Sequence, residues 1–306
     1  MEIRIGYLTT LYHTSFILRG SDQMKDAFGA GRKASWIRFA TGPAMIEAFQ
    51  KGELDLGYIG LPPAMIGIAR GLKIKCVAGG HVEGTVLIGG SSFQARETAP
   101  KALAQFRGKT IGTPRRGSIH DVILRKLVSD CGLDEEIAIK NFDWADFILD
   151  AMMDGEVDGG CGTPPLAALA RRQMGARILL PPSQVWPYNP SYGIVATERL
   201  IRESPSLVED FLRHHEDACR LLRERPKEAA EIVHRAMKII DEEFALEVFR
   251  ISPRYCASLP DEYQDSSMKF VPVLRRLGYL SRDLGRDEVF YTEAIERVHP
   301  ERHHYS

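Results

Sequence analysis

Four side chains that can ligate a metal or act as nucleophile and base fall just beyond short apolar runs: His13, His81, His120 and Cys161. Meeting at one place, they could hold a transition metal or do covalent chemistry. Their spacing fits no metal motif, and a free cysteine serves equally well as a small apolar side chain. A second chemistry is carried by the residues around them. Thr9, Thr10, Tyr12 and His13 follow the first apolar run and enter a helical pattern with Thr14 and Ser15. Hydroxyls and the free N–H groups of a helix start suit an anion or a polar ligand edge, although Thr14 or Ser15 could equally be a plain cap. The segment from Thr113 to His120 has the same design. Arg115 or Arg116 could fork onto a carboxylate, sulfonate or phosphate, and one of the two could equally be a solvated cation. Gly117 permits close backbone approach, and Ser118 opens a helix whose N-terminus favours negative charge. Thr41-Gly42, Gly60-Leu61 and Gly162-Thr163 add small or hydroxylated positions at further strand ends. Trp186, Tyr188 and Tyr192 could stack on an aromatic ligand or pack a hinge.

The elements that must position these residues come in two copies. Gly52-Glu53-Leu54-Asp55, followed by Pro62-Pro63, is matched by Gly155-Glu156-Val157-Asp158, followed by Pro164-Pro165. Upstream, Arg4-Ile5-Gly6 is matched by Thr110-Ile111-Gly112. Such a long period predicts two similar lobes rather than a solenoid. Each unit reads as alternating strands and helices, so the expected class is α/β, with a parallel sheet covered on both faces. Strands are expected over 3–8, 35–40, 54–58, 74–78, 109–113 and 193–197. Helices are expected over 13–28 and 43–51, and from Ser118. Beyond 197 the chain reads as helices from Pro205 and Pro226, over 242–252, and over 265–277 with a kink at Pro272. The glycines of 80–92 predict a flexible stretch, Gly29–Arg32 a glycine-rich loop, and His303-His304 a mobile tail. In open α/β sheets ligands bind beyond the carboxyl ends of the strands, which selects loops 8–15, 41–43, 59–63, 113–120 and 161–165.

The 306 residues carry 40 Lys+Arg and 41 Asp+Glu, a net charge of -1. A balance so near zero provides no global field for a phosphate backbone, which argues against nucleic acid as a partner. No run of about 18 apolar residues spans a membrane. Five scattered cysteines make no disulfide framework. The N-terminus lacks a secretory pattern, which predicts either a cytoplasmic protein or one whose leader has been removed. Dinucleotide, P-loop, nucleophile-elbow and zincin motifs are all missing.

The order of motifs resembles the type II periplasmic (solute) binding proteins of the nitrate/sulfonate/taurine ABC-transporter class, the NMT1/THI5-like domain. The resemblance rests on Gly52-Glu53-Leu54-Asp55 with Gly60-Leu61-Pro62-Pro63, and on Ile74-Lys75-Cys76-Val77-Ala78. It continues through Phe106-Arg107-Gly108-Lys109-Thr110-Ile111-Gly112, Gly155-Glu156-Val157-Asp158 and Tyr192-Gly193-Ile194-Val195. It covers about residues 2–235. It implies two Rossmann-like lobes joined by two crossover strands, here 1–85 plus 195–306 with extra C-terminal helices, and 86–194. It further implies a small anionic or polar heterocyclic ligand, captured by hinge closure without cofactor or metal and delivered to an ABC permease, in the periplasm or at the cell surface if a leader was removed. The ligand-facing set is then Thr9, Thr10, Tyr12, His13, Thr41, Gly42, Gly60, Leu61, His81, Arg115, Ser118, His120, Gly162, Thr163 and Tyr188. The alternative is a cytoplasmic enzyme on the same scaffold, similar to a thiamin-pyrimidine synthase or a sulfinate desulfinase, using Cys161 and the cleft histidines.

Overall fold

The computed structural model describes residues 2–21 and 33–305. The first unit runs β1 (Glu2–Leu8), α1 (Thr14–Gly20), β2 (Lys33–Phe39), α2 (Gly42–Gln50), β3 (Leu56–Ile59), α3 (Leu61–Ala69) and β4 (Ile74–Val82). The second runs β5 (Val86–Gly89), α4 (Ala99–Leu103), β6 (Lys109–Pro114), α5 (Ile119–Asp130), β7 (Ile137–Phe142), α6 (Phe147–Met153), β8 (Gly159–Gly162), α7 (Pro164–Met174) and β9 (Arg177–Ile178). After α8 (Pro182–Val185), strand β10 (Pro190–Thr197) returns to the first sheet. There follow α9 (Glu198–Glu203), α10 (Pro205–Glu224), α11 (Pro226–Ala236), α12 (Glu242–Ile251), β11 (Tyr255–Cys256), α13 (Asp261–Met268), α14 (Phe270–Arg276), α15 (Arg286–Val289) and α16 (Glu293–Val298).

The strands form two sheets, ordered β11-β4-β10-β3-β1-β2 and β7-β6-β8-β5-β9. In each, three parallel strands of one repeat unit lie beside a strand of opposite direction, β10 on β3 and β5 on β8. The sheets are therefore mixed rather than wholly parallel, because the chain crosses between them by strands and not by helices. The repeated Gly-Glu-x-Asp has a structural role in both copies. Gly52 and Gly155 end α2 and α6 at φ of 70° and 71°, where a side chain would be strained. Asp55 then accepts from the Arg4 N–H at 3.0 Å, and Asp158 from the Thr110 N–H at 2.9 Å. The carboxylates tie the start of β3 to β1 and the start of β8 to β6.

Three expectations are corrected. The 80–92 stretch is not irregular: it holds the end of β4 and all of β5, both buried, and its glycines admit close neighbours. A Cβ on Gly80 would lie 2.2 Å from the Tyr192 ring, and one on Gly84 would lie 2.0 Å from Ser191 Oγ. The helix expected over 265–277 is two helices. Pro272 sits in the first turn of α14, where its missing N–H leaves no hydrogen bond unmade. The C-terminal tail is fixed: Tyr305 is fully buried, and its hydroxyl accepts from the Gly80 N–H at 3.2 Å. Helix α1 ends at Gly20; the rest of the expected helix over 13–28 and the Gly29–Arg32 loop lie outside the described residues.

The two crossings touch each other. Between β4 and β5, the Glu83 N–H donates to Asn189 O at 2.8 Å, and the Tyr188 N–H donates to Glu83 Oε1 at 2.9 Å. Both Glu83 (φ 62°) and Tyr188 (φ 59°) occupy the left-handed region without being glycine. Arg254 NH1 lies 3.1 Å from the same carboxylate oxygen, which is otherwise buried. The connection is a hydrogen-bonded pair of strained turns.

Candidate functional site

Between the sheets lies a cleft of about 50 Å³, lined by Leu8, Thr10, Tyr12, His13, Ala40, Thr41, Gly42, Gly60 and Pro63 from the first sheet's side. Facing them are Pro114, Ser118, Ile119, His120, Ala145 and Thr163, with Ser191 from the second crossing. A water needs about 10–15 Å³ of such space, so the cleft holds a few waters or one small solute. Every lining segment lies at or just beyond the carboxyl end of a strand, except Ser191, which opens β10, a strand running opposite to β3. The N-termini of α2, α3, α5 and α7 all open here. Gly42 of α2, Leu61 of α3, and Ile119 and His120 of α5 bring first-turn N–H groups with no partner inside the helix, whereas Pro43, Pro62, Pro63, Pro164 and Pro165 fill the other early positions of α2, α3 and α7 and have no N–H to give.

None of the described lining residues carries a formal charge at neutral pH. His120 is buried, which depresses its pKa to about 4. His13 is held well below the usual histidine value, first by burial and then by His81, His120 and His215. The positive end of the cleft is thus supplied by backbone dipoles, each helix start worth about 0.3–1 kcal/mol to an anion at an exposed site and up to about 2 where partly buried. The side chains are held by partners. Tyr12 OH lies 2.7 Å from Ser191 Oγ, and His120 Nδ1 lies 3.0 Å from Thr85 Oγ1 in the first crossing. His13 lies against Tyr192, tilted by 36° with 4.0 Å between centroids, and meets Tyr12 edge-on at 4.9 Å. Its Nδ1 is buried with no protein partner. Ser118 Oγ accepts from the Asp121 N–H at 3.3 Å, as its N-cap position predicts.

Nine of the expected residues meet in this cleft: Thr10, Tyr12, His13, Thr41, Gly42, Gly60, Ser118, His120 and Thr163. Thr9, Leu61, His81, Arg115, Gly162 and Tyr188 do not line it. Leu61 is core at the start of α3. His81 packs behind Tyr12 and points Nε2 at Ser252 O, 2.6 Å away. Arg115 turns outward to Glu47 of α2 at 3.3 Å, bridging the rim. Arg116 Nε donates to Tyr279 OH at 3.1 Å. Tyr188 holds the crossing through its backbone. Trp186 stacks on Phe270 at 4.2 Å and Tyr192 is fully buried, so both pack the interior.

The set His13, His81, His120 and Cys161 does not assemble into a metal or nucleophile site. Among the described residues, three ligating atoms gather within 4.8 Å only elsewhere. Cys161 is fully buried in β8 with its sulfur toward His120 O at 3.8 Å, and burial pushes its thiol well up, away from thiolate. Of the other lining residues, Leu8, Pro63, Pro114 and Ile119 fall within the loops selected from sequence, and Ala40, Ala145 and Ser191 fall outside them. Ala145 follows β7, a strand the residue pattern did not reveal, and aligning it with β2 in the repeat was the available signal.

The buried histidines give the fold a pH dependence. His81, His120 and His215 all have their pKa lowered to about 4, chiefly by burial. The unfolded chain takes up protons near 6.5 and the folded chain only near 4. Stability is therefore full above about 6.5 and is lost as pH falls through that window, by up to about 1.4 kcal/mol per pH unit for each group. Thermal unfolding followed from pH 7.5 to pH 4.5 should show a midpoint that drops steadily below pH 6.5; a flat midpoint would mean these rings are not buried neutral.

The family model described as the NMT1-like family matches residues 1–237. A Brucella abortus (strain 2308) protein described as a binding protein is 24% identical over 246 residues, 78% of this chain and 72% of that one. Among solved structures, the periplasmic aliphatic sulphonate binding protein of Escherichia coli superposes with a TM-score of 0.78 at 17% identity, covering 95% of this chain and 92% of the other. The periplasmic nitrate-binding protein of Synechocystis PCC 6803 gives 0.78 at 14% identity, covering 97% and 88%. The fold is that of the type II periplasmic binding proteins.

Proposed function

The chain belongs to the NMT1-like family, and we propose that it is a solute-binding protein that captures one small anion between its two lobes and presents it to an ABC-type permease. The observation that carries this is the convergence of four helix N-termini on an uncharged, hydroxyl-lined cleft. Unpartnered N–H groups complement spread negative charge such as that of a nitrate or a short sulfonate, and the absence of a lysine or arginine in the wall disfavours recognition by ion pairing. Relatives described as binding sulfonates and nitrate support the same class. The lobes are taken as 1–85 plus 195–306, and 86–194. Closure is favoured because the anion touches helix starts from both. The chain acts outside the cytoplasmic membrane, and no described helix is long and apolar enough to cross one.

Each residue has a physical task in this reading. Thr10, Thr41, Ser118 and Thr163 offer hydroxyls, and Gly42 and Gly60 let backbone come close. His13 offers its free Nδ1 as a neutral donor, stiffened by Tyr192 and Tyr12. Thr9, Gly162, His81, Leu61 and Tyr188 act from behind the wall, and Arg115 through its bridge at the rim.

Calorimetric titration with nitrate, methanesulfonate and ethanesulfonate, with tetramethylammonium as the cationic control and uracil as a neutral heterocycle, tests the proposal. One of the anions should saturate a single site and the cation should not bind. Saturation by uracil alone would replace the anion with a polar heterocycle. His13→Ala should weaken anion binding about tenfold or more, the worth of one hydrogen bond to a charged group. Unchanged affinity would remove His13 from the wall's chemistry.

A further inference from the structure

Far from the cleft in sequence, and beyond the span matched by the family model, Cys256 of β11 meets two histidines of the C-terminal tail. Cys256 Sγ lies 3.5 Å from His299 Nε2 and 3.8 Å from His304 Nδ1, and the two nitrogens are 3.1 Å apart. Among the described residues this is the one place where three metal-ligating atoms lie so close. A tetrahedral zinc ion, with bonds of about 2.3 Å to sulfur and 2.0–2.1 Å to nitrogen, spaces its ligands at about 3.6 Å for S···N and about 3.3 Å for N···N. All three distances agree with that triangle to within about 0.3 Å.

We propose that Cys256, His299 and His304 bind a divalent transition-metal ion of the zinc type, which staples the C-terminal tail to the first sheet. The ligand chemistry fits: one soft sulfur and two imidazoles suit zinc and exclude calcium or magnesium, which need oxygen. The surroundings fit as well. The His304 backbone N–H donates to Cys256 Sγ at 3.4 Å, the contact that steadies a bound thiolate. His299 is buried and its Nδ1 has no partner, so its polar contacts all fall on the side of the cluster. Glu216 stands 4.0 Å from His299 Nε2, but its two oxygens are engaged by Arg223 at 2.9 Å and the Ala257 N–H at 2.8 Å. The fourth position falls to Glu301, whose carboxylate is 3.7 Å from His299 Nε2, or to water.

The staple has a purpose. One residue beyond His304, the Tyr305 hydroxyl lies against Gly79 and Gly80; a Cβ on Gly79 would lie 2.0 Å from that oxygen. Gly79 O is in turn 2.9 Å from His215 Nε2, whose Nδ1 is 2.8 Å from Thr14 Oγ1 at the start of α1. Holding the tail therefore holds the back of the cleft.

The competing account is a metal-free triad held by hydrogen bonds. Full-length, untagged chain, stripped with a chelator and dialysed, distinguishes them on titration with cobalt(II) and then zinc. The proposal expects one equivalent of cobalt, a thiolate-to-cobalt charge-transfer band and tetrahedral visible bands, all removed by zinc. His304→Ala, at an exposed position, should weaken the metal at least tenfold while the chain stays folded. Cys256→Ser should abolish the charge-transfer band; if that buried substitution fails to fold, His304→Ala alone decides. No charge-transfer band in the wild type, or metal affinity unmoved by His304→Ala, overturns the site. The readout here is the metal's own stoichiometry and spectrum, measured without anion, so failure here is distinguishable from failure of the proposed function.

Discussion

Gly60→Phe is expected to lower affinity for the anion about tenfold to 100-fold while leaving the melting temperature nearly unchanged. Gly60 is the N-cap of α3 and faces Ile119, the first residue of α5, across the cleft. A Cβ built on it already lies 3.1 Å from Ile119 Cβ and 3.2 Å from its Cγ2, tighter than ordinary contact. Its φ of -63° suits any residue, so the substitution strains no backbone. The added ring instead acts as a wedge. Overpacking costs about 1–3 kcal/mol, and 1.4 kcal/mol is tenfold in binding. The lobes can escape that cost by staying apart, which preserves each lobe but separates the two halves of the site. Ile119→Ala in the same chain should restore part of the affinity. A Gly60→Phe chain that binds as the wild type does would mean that α3 and α5 do not close on the ligand.

Asp121→Ala is expected to give the largest loss of stability, about 3–5 kcal/mol, or on the order of 10 °C in melting temperature. The carboxylate is fully buried one turn into α5. Its Oδ2 accepts from the Gly117 N–H at 2.9 Å and Tyr279 OH at 3.0 Å, and its Oδ1 accepts from Arg125 Nε at 2.9 Å and Asn141 Nδ2 at 2.8 Å. Removing it strands four donors, one of them the amide of Gly117, which holds the cleft loop at φ 81°. Asp121→Asn keeps an acceptor and should lose distinctly less. The measurement is thermal unfolding of both variants at pH 7.5; a loss below about 1 kcal/mol for alanine would mean the network is dispensable.

The architecture was legible because it is written twice. A carboxylate that pairs with its unit's first strand, and a glycine that must turn a helix end left-handed, leave the same residues at Asp55 and Asp158, and at Gly52 and Gly155. The cleft loops were legible for a related reason: strand ends in an α/β sheet converge, so Thr10, Thr41, Ser118 and Thr163 follow from topology. What sequence did not reveal was direction. Arg115 and His120 stand five positions apart in one loop, yet Arg115 leaves for Glu47 while His120 turns inward to Thr85. Residue types bring Arg115 forward, whereas the wall itself presents helix starts, which leave only a faint trace in residue types. The tail showed the same limit. His303-His304 looked like an unstructured end, because the cysteine and the histidine that meet His304 stand 48 and 5 residues away.

Small-angle X-ray scattering with and without saturating anion tests the central claim most directly, using whichever of nitrate, methanesulfonate and ethanesulfonate gives the tightest titration. In this structure Gly60 and Ile119 are already in contact and the cleft holds only about 50 Å³. The saturated chain should reproduce the scattering of these coordinates, and the ligand-free chain should give a larger radius of gyration. Identical curves in the two states, with calorimetry showing the site full, would contradict capture by closure between the lobes.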